Sequence, residues 1–163
     1  MKRLLSFILA IYVITCASVA FALSKQQIAL GGIPLDAPLT YVNSIYGAPS
    51  HIDGGSRWIS YYGNGFLVYS SPRPKLHNEE KEYKVGVNYV DSIKVTQNNG
   101  ISTPDGAYVG MKENVVEKIY GEPFSKYKGK DETMIYWYFA DTQLLALEAR
   151  NGIVTTIRIE ETD

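Results

Sequence analysis

Two histidines, one cysteine and one carboxylate pair are the residues on which chemistry would have to rest. His51 and His77 stand apart, and neither is followed within five residues by a ligand set that would complete a metal site. Glu113 and Glu117 fall four apart near the start of a predicted helix, a spacing that puts both carboxylates on one helix face. They read more simply as solvated residues, with Glu113 favourably placed near the positive helix end. The equivalent positions of the earlier, similar stretch are Leu39 and Asn43, so the pair is not a recurring feature. No serine sits in a nucleophile elbow or a Ser-x-x-Lys setting. Gly31-Gly32 and Gly54-Gly55 read as turns and not as phosphate loops. No catalytic residue, metal site or cofactor is therefore expected.

The N-terminus reads as a targeting segment. Lys2 and Arg3 precede the apolar residues 4–19, and Ala20-Phe21-Ala22 offers small residues where a signal peptidase cuts, so residues 1–22 are expected to be a signal peptide. Membrane contact is expected only if that segment is retained or Cys16 is lipidated. Ile14-Thr15-Cys16 departs from the usual lipoprotein pattern. Cys16 is the single cysteine, so cleavage after Ala22 leaves a chain without disulfides or thiol chemistry. The whole chain carries 16 basic and 17 acidic residues, and with Lys2 and Arg3 set aside the acidic excess is three. A nucleic-acid binder would show the opposite balance. Thirteen tyrosines in so short a chain suit strands and recognition surfaces, because each offers contact area plus a hydroxyl.

The elements that would position any site are announced by a stretch that recurs. Val42-Asn43-Ser44-Ile45-Tyr46-Gly47-Ala48-Pro49 is echoed by Val116-Glu117-Lys118-Ile119-Tyr120-Gly121-Glu122-Pro123, at an offset of 74 residues. Each copy supplies an apolar helical stripe, a glycine C-cap and a proline that forbids continuation. After each, the period changes to two. Strands are predicted at 57–62, 66–70 and 87–96, and at 124–128, 134–139, 144–149 and 153–160, with Asn151-Gly152 as a tight hairpin. The expected class is α+β: two tandem helix-then-antiparallel-sheet repeats with helices packed on one face of the sheets. The units are 23–97, with a charged, proline-bearing insertion at about 70–86, and 98–163. They are expected to pack on one another or share a sheet. Lys126, Lys128 and Lys130 describe an exposed edge guarded by lysines.

The aromatic strands carry the candidate site. One side presents Ile59, Tyr61, Ile135, Trp137 and Phe139; the other presents Trp58, Tyr62, Tyr136 and Tyr138. We expect the second set to face outward as a strip flanked by Lys94 and Arg158, the type of patch that binds a partner. Burial of that strip between the units, or a purely cross-strand role for its rings, is the alternative.

A short helix ending in Gly-x-Pro, led in by Val109-Gly110 and followed by an aromatic strand, an apolar strand and a last strand after Asn-Gly, resembles the SmpA/OmlA repeat. Two in tandem are similar to the β-lactamase inhibitor protein family. The resemblance implies helices on one antiparallel sheet whose opposite face is free to bind protein. It carries over no function, since no lipobox, disulfide or inhibitory contact residue is matched here. The expected function is an exported, non-enzymatic module recognising a protein or cell-envelope component. The alternatives are a hydrolase with an unrecognised carboxylate site and a membrane-anchored structural envelope protein.

Overall fold

Period-two alternation dominates the chain, and the computed structural model turns it into one large sheet. Residues 28–73 and 84–162 are described. The expected signal peptide, Cys16, His77 and residues 74–83 of the expected insertion lie outside them. The elements run β1 (Ala29–Leu30), β2 (Ile33–Pro34), α1 (Leu39–Tyr46), β3 (His51–Asp53), β4 (Trp58–Tyr61), β5 (Phe66–Pro72), β6 (Asn88–Val95), α2 (Glu113–Tyr120), β7 (Ser125–Lys128), β8 (Met134–Ala140), β9 (Gln143–Arg150) and β10 (Ile153–Glu161). A 3-10 turn, Lys130–Glu132, links β7 to β8. β1 and β2 form a separate small hairpin. The other strands form a single eight-stranded sheet in the order β3-β4-β5-β6-β10-β9-β8-β7, antiparallel throughout.

This architecture corrects the expected fold class. The described chain is mostly β, with only two α-helices of eight residues each, and it is not a pair of helix-then-sheet repeats. The reason lies in β6 and β10. Both alternate apolar and polar residues, and Ile93 pairs with Ile159 and Val95 with Ile157, so the strands that would close two sheets join to continue one. All four side chains are fully buried, each contributing about 1.5–3 kcal/mol by removal from water.

The helices are too short to be stable alone and are held by what flanks them. Backbone bonds from Asp36 N to Val90 O and from Val90 N to Ala37 O, both 2.8 Å, moor the chain ahead of α1 to β6. Gly110 N to Val154 O at 2.8 Å and Val154 N to Met111 O at 2.9 Å do the same ahead of α2 on β10. Val42 and Val116 then point down at 0% exposure. Gly47 and Gly121 stop the helices as the sequence suggests, donating to Asn43 O and Glu117 O. Their φ of 79° and 75° with ψ of −168° and −156° are not the compact left-handed cap but an extended, nearly glycine-only conformation that throws the chain straight out.

Candidate functional site

Residues opposite one another in a ladder share a face, so the register sorts every strand residue. Phe66, Val95, Ile157, Leu147 and Tyr136 are successive partners from β5 to β8, and all are buried on the side the helices cover. The neighbouring row, Tyr61, Leu67, Lys94, Arg158, Ala146 and Trp137, runs from β4 to β8 on the opposite side. No described helix lies over that second face.

The expected outward strip is thereby corrected. Tyr136 and Tyr138 are 1% and 4% exposed, under α2 and not on the free face. The Tyr138 ring lies 5.3 Å from that of Tyr120, and burial pushes its phenol well above the usual range. Tyr62 is half-buried and donates to Asn43 Oδ1 on α1 at 2.6 Å, which fixes it on the helix side as well. Trp58 is 41% exposed at the rim of that same side, opposite Ser70. Lys94 and Arg158 do lie on the open face, but beside Tyr61 and Trp137. Of the two sets, it is that of Tyr61, Trp137 and Phe139 that lies on the open face.

The outward rings fall at two ends. Near β8, Phe124 is 79% and Tyr127 40% exposed. Phe124 meets Phe139 edge-on at 5.0 Å, and Tyr127 meets Trp137 edge-on at 5.5 Å. Trp137 and Phe139 are 6.4 Å apart and half-buried, so the four make a contiguous apolar patch held by ring contacts. Its cause is local: Pro123 follows the extended Gly121 exit and leaves Phe124 standing off the sheet edge. The edge strand β7 carries Lys126 and Lys128, paired with Glu117 and Glu132 at 2.8 and 2.7 Å. An open cleft of about 580 Å³ between Glu117, Gly121, Glu122, Pro123, Phe124 and Lys126 adjoins the patch.

At the other end the rings are tied to polar groups. Tyr61 donates to Asp53 Oδ2 at 2.9 Å, and His51 Nε2 is 2.8 Å from Asp53 Oδ1. The bond from Tyr61, then that with His51, holds the Asp53 carboxyl below its ordinary range, while Asp53 raises the Tyr61 phenol. Arg57 pairs with Asp91 and stacks 4.7 Å from the centre of the Tyr69 ring. His51 thus belongs to a surface hydrogen-bond set. Among the described residues no group of three or more His, Cys, Asp and Glu is placed to hold a metal ion. Of the carboxylate pair, Glu113 opens α2 and Glu117 spends its carboxylate on Lys126.

Fold and face together define a mostly β protein with one sheet face roofed by short helices and the other open, aromatic at both ends and charged between. No family model matches the chain, and no curated protein matches it. Among solved structures, it is similar to a DUF4309 family protein (YjgB) from Bacillus subtilis, at 11% identity and TM-score 0.48, covering 80% of this chain and 83% of that one. It is also similar to an extracellular protein containing an SCP domain from Bacillus anthracis, at 13% identity and TM-score 0.48, covering 78% of this chain but only 44% of that one. Among the described residues no helix is long and apolar enough to cross a membrane.

Proposed function

We propose that this chain is an exported, non-enzymatic binding module that holds a protein or cell-envelope component on the open face of its sheet. The observation that carries the reading is the patch of Phe124, Tyr127, Trp137 and Phe139, whose rings touch one another and remain in water's reach. A clustered aromatic surface of this kind supplies the desolvated centre of a binding site, where a few large side chains dominate affinity. Export rests on the charged, apolar and small-residue order of residues 1–22.

The test uses chain 23–163 immobilised against an extract of the source organism's cell surface and culture fluid, compared with a Trp137→Ala/Phe139→Ala double variant. Loss of a retained component from the variant, at near-native melting temperature, is the expected result. If the folded variant kept everything the parent keeps, the open face would not be the binding surface.

A further inference from the structure

At the centre of the open face, in the pairing of β6 with β10, Lys94 stands directly opposite Arg158. Like charges facing one another across an antiparallel pair oppose sheet formation. Arg158 is relieved by Glu160 on its own strand, 3.3 Å away. Lys94 forms no ion pair or hydrogen bond among the described residues. Glu160, diagonal to it, is engaged with Arg158, and Glu148 lies further off on β9, opposite Thr156. Its β5 neighbours on this face are Leu67 and Tyr69, neither of them acidic. The trio of Lys94, Arg158 and Glu160 keeps one uncompensated positive charge at the middle of a row that ends in Tyr61 on one side and Trp137 on the other.

Resting on the binding role proposed above, we infer that Lys94 and Arg158 form an anion seat. Its occupant is a carboxylate side chain of an extended protein segment whose apolar residues lie along Trp137 and Phe139. The charge chemistry argues for an anion. The charged centre and the ring-bearing end lie two strands apart on one face, which fits acidic and apolar side chains at every second residue of an extended segment, since those share a side. The repulsion is the cost kept in the free protein for that contact, as binding sites commonly sacrifice stability.

The probe is an acetylated eight-residue peptide repeating Glu-Ser-Leu-Ser, which puts its glutamates and leucines on one side when extended, titrated into isotope-labelled 23–163 and followed by amide and indole shifts. Shifts at residues 94, 158 and 137 are expected, with affinity falling at least tenfold for Lys94→Glu, for Arg158→Glu, and for a glutamine-for-glutamate peptide. Lys94→Glu should also melt no lower than the parent, because it replaces a like-charged pair with an opposite one. Equal binding of the glutamine peptide, unchanged affinity in both charge variants, or no shifts would overturn the seat. So would binding of phosphatidylglycerol vesicles, with Lys94-dependent shifts, in place of the peptide. If Trp137→Ala/Phe139→Ala abolishes binding while the charge variants keep it, the aromatic surface stands and the anion seat falls. The reverse pattern overturns the aromatic reading and leaves the seat.

Discussion

Strand β8 carries rings on both sides, and the two sides live in different surroundings. Tyr136 and Tyr138 are closed off beneath α2, Tyr136 with the Lys126 ammonium 5.0 Å from its ring centre and Tyr138 beside Tyr120. Trp137 and Phe139, one residue out of step, pair with Ala146 and Leu144 on the other face, meet Tyr127 and Phe124 edge-on, and stay half-buried. Tyr120, also on the covered side, shares a 2.5 Å hydrogen bond with Thr103 Oγ1, and burial pushes its phenol up to about 12. On the covered side the Tyr120 and Tyr138 hydroxyls thus find partners within the chain, at Thr103 and Gly121 O, and tie α2 to the sheet. The open side holds apolar area that nothing in the described chain uses. Ring content does not separate scaffold from surface; the register does.

The largest effect should come from the covered side. Tyr138→Ala removes a nearly buried ring from under α2 and should cost about 3–5 kcal/mol, the range for deleting a buried aromatic. Urea unfolding measures it. Trp137→Ala, on the same strand, should cost less, because its ring is only half-buried: the edge-on contact contributes about 0.5–1.5 kcal/mol and the hidden apolar area adds to that. Equal losses at 137 and 138 would break the distinction between the faces. A larger loss at 137 would mean that the patch is part of the core.

Most strands were legible in the sequence, because alternation over five or more residues leaves little choice of structure. The hairpin at Asn151-Gly152 follows from the residues alone, and both take positive φ, 51° and 76°. The way the strands assemble was not legible. Pairing of β6 with β10 joins residues far apart in the chain, and local pattern gives no preference between closing two sheets and continuing one. The face assignment failed for a related reason. Alternation splits β8 into two sets but does not label them, and here both sets are aromatic, so hydrophobicity could not choose. A usable signal was Lys126: as a β7 neighbour of Tyr136 reaching Glu117 on α2, it marks the helix side. The Lys94–Arg158 pairing needed the register itself.

The two faces also differ in charge at the end of β10, where Glu160 and Glu161 point to opposite sides. Glu160 joins Arg158 on the open side. Glu161, on the covered side, shares the Arg73 guanidinium with Asp36, whose carboxylate lies 2.9 Å from Arg73 Nη2. Burial raises the Glu161 carboxyl first and Asp36 beside it adds to that, while Arg73 pulls the other way; the net shift is upward. A carboxyl raised in the folded state holds its proton more tightly there than in the unfolded chain. Its contribution to stability is therefore full below the ordinary carboxylate range and is lost as pH rises through the folded value. The melting temperature should fall across that window, just above the ordinary glutamate range, and by less than either ring deletion lowers it. Glu161→Gln should flatten this slope while preserving side-chain bulk, and Glu160→Gln should leave it in place. Thermal melts at closely spaced pH values separate the two: a slope that vanishes with Glu160→Gln and survives Glu161→Gln would place the raised carboxyl on the open face and reverse the assignment of the two sides.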